Sequence, residues 1–178
     1  MSLSLYDTSV PVFTQLLTAA SHNLDKAAAF AEAKKIDPGI LLSSRLYPDM
    51  FPFIRQIQTA CDNAKGASAR IANVEIPRFA DDETTIDQLK ARIQKTIDFM
   101  AGLDRKAFDG AEERDVTLTQ GGTERKVNAK TYLLSQALPN FFFHVTTAYA
   151  ILRHNGVELG KRDYMTGQPI RKPEAVPA

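Results

Sequence analysis

The sequence predicts an all-α protein: one four-helix bundle with a small β-hairpin between its third and fourth helices. Three observations lead there. Four stretches repeat apolar residues at three- and four-residue steps, the period of a helix with one buried face. Between the second and third, residues 73–82 lack that period and carry Pro77, as an extended crossover would. Before the fourth, two short alternating runs flank Gly121-Gly122, a hairpin signal.

Size and composition permit this fold. The 178 residues fit one domain, residues 1–178, and 44% hydrophobic residues can supply its core. With 22 basic and 21 acidic residues the net charge is +1, which suits neither a disordered chain nor a nucleic-acid binder. No apolar run approaches the roughly 20 residues that span a bilayer. The N-terminus shows no basic region followed by an apolar block, so a cytoplasmic protein without membrane contact is expected. A single cysteine, Cys61, excludes an intramolecular disulfide and a four-cysteine zinc site.

The first helix has Asp7, Thr8 and Ser9 as candidate N-caps and Pro11 in its first turn. Phe13, Leu16, Leu17, Ala20, Leu24, Ala27, Ala28 and Ala31 form its inner face, and Asp37-Pro38-Gly39 ends it. His22 sits about 200° around the wheel from Ala20 and Leu24, facing solvent. Residues 36–47 read as a connection with an apolar patch at Ile40-Leu41-Leu42. A second helix is expected from Pro48-Asp49 to about Ala72, with Met50, Phe53, Ile54, Ile57, Cys61, Ala64 and Ile71 inward. Gln56, Gln58 and Asp62 flank that stripe, where each is either solvated or turned sideways into the bundle. Gly66 costs about 1 kcal/mol against alanine, or marks close packing. The crossover, about ten extended residues, reaches some 33 Å. That matches a helix of about 22–24 residues and lets helices two and three run parallel.

The third helix starts between Asp82 and Thr85, with acidic residues at its positive end. Ile86, Leu89, Ile93, Ile97, Met100 and Leu103 face inward, Lys90, Arg92 and Lys95 lie off the seam, and Gly102 to Asp104 close it. Val116-Thr-Leu-Thr119 and Glu124-Arg-Lys-Val127 are the strands around Gln120-Gly-Gly122. The glycines have no Walker lysine spacing or Gly-x-Gly pattern, so they do not form a phosphate loop. Asn128 caps a fourth helix that runs to about His154–Asn155 and stops at Gly156. Leu134, Leu138, Phe141, Val145, Ala148, Ile151 and Leu152 give its core face, with a kink at Pro139. The tail from Val157 wraps the surface and packs loosely from about residue 165.

Chemistry is hinted at in one place. His144 follows Phe141 by three residues and precedes Ala148 by four, so it points toward the core. Asn140 lies one turn earlier, and an i, i+4 pair with Cβ atoms about 6 Å apart can share one ion or ligand. Gln56, Gln58 or Asp62 could complete the set from helix two. One imidazole among oxygen donors is a weak zinc set. The residues therefore read as a hydrogen-bonded core histidine, a polar ligand pocket or a metal site. His154, near a helix end, complements the dipole. Cys61 on an apolar face reads as an inert thiol. Neither a Gly-x-Ser-x-Gly elbow nor a His-Glu-x-x-His pair occurs.

The order of elements combines with three stretches. They are Leu46-Tyr-Pro-Asp-Met50, Phe142-Phe-His-Val-Thr-Thr-Ala-Tyr-Ala-Ile-Leu-Arg-His-Asn-Gly-Val157 and Gly160-Lys-Arg-Asp163. Together they resemble an uncharacterised bacterial family, a domain of unknown function grouped with the DinB/YfiT-like metalloenzymes. The resemblance covers nearly the whole chain. It implies an up-down-down-up bundle and frequently a homodimer. DinB-like enzymes bind a divalent metal through three histidines, one on helix two and a His-x-x-x-His pair on helix four. Some are thiol-dependent transferases. By position, the second histidine of the pair is similar to His144, the first falls on Asn140, and the helix-two ligand falls near Gln56. Only one histidine of three is present. The resemblance thus implies an uncharacterised protein with a small-molecule pocket at His144, Asn140, Gln56 and Asp62 and a degenerate metal site. The alternative it implies is a thiol-transferase-like enzyme using a divalent metal, Zn or Ni, with His144 as a ligand.

Overall fold

The computed structural model describes residues 4–120 and 123–166. The chain is mostly helical, with one two-stranded antiparallel sheet. In chain order the elements are α1 Val10–Lys34, α2 Pro38–Ser43, α3 Phe53–Ala72 and α4 Ile86–Ala101. Strands β1 Asp115–Gln120 and β2 Thr123–Asn128 follow, then α5 Ala129–Tyr132, a π-turn at Leu133–Ala137, α6 Leu138–His154 and α7 Lys161–Thr166. The tip of the hairpin, Gly121-Gly122, and the tail beyond Thr166 lie outside the described residues. Among the described residues no helix is long and apolar enough to cross a membrane.

The core sits between the four long helices. α3 packs on α6, α4 and α1, and α1 also meets α4 and α6. Phe13, Leu17, Leu24, Ile57, Ile71, Leu89, Ile93, Met100 and Phe141 are fully buried, as the helical periods require. Small residues at Ala60, Ala64, Ala67 and Ala69 let neighbouring helices approach α3 on several sides. Thr85 and Gln88 form a reciprocal capping box at the start of α4, satisfying two N–H groups that the helix cannot. Gly156 ends α6 at φ 93, a backbone region open to glycine.

Several boundaries differ from the sequence reading. α3 begins at Phe53 rather than Pro48, because Phe51 precedes Pro52 and the proline ring disfavours helical backbone there. Met50 consequently lies outside the helix and is only half-buried. The 36–47 connection holds a helix of its own, α2, whose Asp37 side chain accepts from the Gly39 N–H at 2.9 Å. Residues 158–166 pack on α1 and α6. Lys26 pairs with Asp163 at 2.7 Å, and Gln15 donates to the Met165 carbonyl at 2.8 Å. The Tyr164 ring meets Tyr149 edge-on at 5.8 Å.

The kink expected at Pro139 appears as a π-turn one turn earlier, with one extra residue in the helical ladder. A proline lacks the N–H of a regular ladder and its ring crowds the carbonyl four residues before it. The extra residue shifts the wheel by about 100°. This corrects one core assignment: Leu134 is 50% exposed and Leu133 is fully buried in its place.

Candidate functional site

α6 and α3 bring together two of the four pocket residues expected from the sequence. His144 is 7% exposed and Gln56 1%, and His144 Nδ1 lies 2.7 Å from Gln56 Oε1. The direction of this bond follows from a second one. Gln56 Nε2 donates to the Phe51 carbonyl at 3.0 Å, and a carbonyl oxygen can only accept. The amide is thereby oriented with Oε1 toward the imidazole, so neutral His144 carries its proton on Nδ1. Its Nε2 keeps a lone pair and has no hydrogen-bond donor among the described residues.

Aromatic rings frame this histidine. Phe51 stacks on it with centroids 6.4 Å apart and planes 16° from parallel, and Phe143 meets it edge-on at 5.2 Å. Both rings are about half exposed. Leu46 and Tyr47, on the segment leading to Phe51, are exposed as well. The site is an imidazole acceptor set among apolar surface.

Burial in this setting pushes the His144 imidazolium below its ordinary range. The unfolded chain then protonates first as pH falls. The stability contributed by neutral His144 is complete above the ordinary histidine value and is lost progressively below it, down to the folded value. Thermal melts across mildly acidic pH should show this decline, and His144→Gln should flatten it. A decline of equal slope in His144→Gln would refute the assignment.

The other two expected residues lie elsewhere. Asn140 is exposed and donates from Nδ2 to Asn63 Oδ1 at 3.1 Å. Asp62 binds Lys65 Nζ at 2.8 Å and Arg92 Nη2 at 2.9 Å. Gln58, read as a possible flank, is buried and donates to Glu83 Oε2 at 2.8 Å.

Asp62 belongs to an ionic knot centred on Arg92, which the sequence reading set off the seam of α4. The Arg92 side chain is 1% exposed and reaches Asp62, Asp81 and Glu83, each at 2.9 Å. It also donates to the Ala80 carbonyl at 2.7 Å. Arg55 adds a second cation to Asp81. Burial alone would raise the Asp81 carboxyl, but the hydrogen bond and charge of Arg55, with those of Arg92, hold it below the usual range. Phe79 on the crossover takes Lys65 at 4.0 Å and Lys95 at 4.2 Å against its ring. The knot straps the 73–85 crossover to α3 and α4. The acidic run Asp81-Asp82-Glu83 in the sequence was the signal that a cation would be enclosed there.

Cys61, fully buried, has its thiol pushed up to about 12 by burial, against a hydrogen-bond contact with Thr96, which suits an inert side chain.

Comparison with known proteins agrees with the architecture. The profile of a domain of unknown function, DUF1993, matches residues 5–165. A crystal structure described as a DinB family member protein from Shewanella denitrificans is 40% identical. It superposes with a TM-score of 0.86 over 95% of this chain and 96% of that one. No curated protein matches the chain.

Proposed function

The chain belongs to the DUF1993 family, within the DinB-like fold, and on that premise we propose a small-molecule-binding bundle whose metal site is degenerate. In this reading the four long helices run up-down-down-up. The extended crossover between α3 and α4, and the contacts of α1 and α3 with both α4 and α6, support that arrangement.

The carrying observation is the hydrogen bond between His144 and Gln56. It fills the position where the resemblance leads one to expect two metal ligands, and it commits Nδ1 to an amide oxygen. The remaining donor at the site is one lone pair, on Nε2. The third expected position, Asn140, is engaged with Asn63. Among the described residues no group of three or more His, Cys, Asp or Glu side chains could hold a metal ion. A single imidazole does not make a zinc or nickel centre, so the donor set does not fit a resident metal. A neutral Nε2 beside Phe51 and Phe143 suits a small apolar molecule that offers one O–H or N–H donor.

The exposed side chains of Leu46, Tyr47, Phe51 and Phe143 also support a homodimer formed over this face. One sample tests both statements: protein purified without an affinity tag, exposed to zinc, nickel and manganese, and dialysed. Metal content far below stoichiometric and a dimer mass in sedimentation are expected. Stoichiometric metal that disappears in His144→Ala would overturn the degenerate-site reading. A monomer at micromolar concentration would overturn the dimer.

A further inference from the structure

A cleft separate from His144 lies where α3, the π-turn and the hairpin meet. It is about 280 Å³ and is lined by Asn63 and Arg70 of α3, Tyr132, Gln136 and Asn140 around the π-turn, and Leu118 of β1. Among the described residues no carboxylate lines it. We propose that this cleft binds a small oxyanion, a carboxylate or a phosphate, through Arg70.

Arg70 is the unusual member. It is half-buried, and its guanidinium contacts the Tyr132 hydroxyl at 3.4 Å and overlies that ring at 5.9 Å. Among the described residues it has no carboxylate partner. Other arginines are satisfied differently: Arg92 by three carboxylates, Arg105 by Asp7, and Arg114 by the carbonyls of Ile71 and Ala107. A guanidinium held partly out of water without a counter-charge is a ready fork for a planar or tetrahedral oxyanion.

The groups beside it are donors in the right supply. The Tyr132 hydroxyl accepts from Arg70, and its own proton has no acceptor among the described residues. Burial raises the Tyr132 phenol, against the nearby Arg70 charge, which keeps it a neutral donor. Asn63 Nδ2 donates to the Thr59 carbonyl at 3.3 Å, which fixes that amide, and its Oδ1 then accepts from Asn140 Nδ2. Each of the two amide nitrogens keeps a second N–H free. Leu118 stands directly opposite Arg125 in the hairpin register, so both side chains share one face of the sheet. Arg125 is exposed and unpaired among the described residues, a second cation on the face that closes the cleft.

Gly66 explains how Arg70 reaches this position. A Cβ at residue 66 would come within 2.7 Å of Arg70 Nη1 and touch nothing else closer than 3.9 Å. The glycine sits in a helix interior, where alanine is favoured by about 1 kcal/mol, and the space it leaves holds the guanidinium.

The test is titration of the full chain with inorganic phosphate and, separately, with succinate at fixed ionic strength, followed by calorimetry or amide chemical shifts. Saturable binding of at least one probe is expected, and the tighter probe assigns the anion class. Arg70→Gln should weaken it about tenfold or more, the loss expected of a charged hydrogen bond. Gly66→Ala should weaken it too without lowering the melting temperature, which separates loss of the site from loss of the fold. Arg153→Gln, an exposed arginine outside the cleft, should leave it unchanged. No saturable binding of either probe, undiminished affinity in Arg70→Gln, or equal weakening in Arg153→Gln would overturn the proposal.

Discussion

Arg92→Ala is expected to lower the unfolding free energy by about 3 kcal/mol. Breaking a buried ion pair from one side costs roughly 3–5 kcal/mol, because the partners stay behind uncompensated. Here Asp62, Asp81 and Glu83 would face one another with the guanidinium gone. Two of them are partly hydrated, with side chains 41% and 35% exposed, so screening puts the loss at the lower end of that range. Lysine would recover little, since one ammonium cannot span acceptors on both terminal nitrogens of the guanidinium. Urea unfolding measures the change, and a loss below about 1 kcal/mol, the ordinary cost of a point substitution, would refute the role. The same knot gives an acid limb. Asp81 titrates lower in the folded chain than in the unfolded one. Its stabilisation is therefore present above the ordinary carboxylate value and lost as pH falls through the folded one. Arg92→Ala should blunt that limb.

Phe141→Ala is expected to cost about 3–5 kcal/mol, the range for a large aromatic removed from a full core. Phe141 is fully buried on α6 and meets Phe13 of α1 edge-to-face, with centroids 4.8 Å apart at 72°. The substitution removes both the buried surface and that ring pair. It falls three residues before His144, so it also tests whether the histidine depends on the helix being held in place. Phe141→Leu, which retains most of the volume, should recover more than half of the loss. Equal destabilisation by alanine and leucine in chemical denaturation would contradict a packing origin.

The helical faces were legible because burial in a bundle imposes a period, and Phe13 through Ala31, Ile86 through Met100 and Phe141 through Leu152 obey it. The hairpin was legible from turn chemistry and alternation. Leu134 was misassigned because a wheel assumes a constant 100° step, and the π-turn breaks that assumption just before Pro139. Arg92 was read as lying outside the core because a single-helix wheel cannot see three carboxylates delivered by α3 and by the crossover. The candidate site was half legible. His144 and Gln56 meet across 88 residues of chain; the flank of the helix-two stripe offered Gln56 among three candidates, and family position singled it out. Asn140 was grouped with His144 from helical spacing and from family position. Four residues leave an offset of about 40°, and at the edge of a buried face that turns one side chain toward Asn63 while the other points inward.

The π-turn has a consequence for how this chain could diversify. One added residue makes the last long helix two rotors on one shaft, α5 set at one angle and α6 at another. The hairpin and Tyr132 ride on the first rotor, His144 and Phe141 on the second. The cleft at Arg70 takes Tyr132 from the first and Asn140 from the second, so a change in the π-turn would turn its two walls against each other.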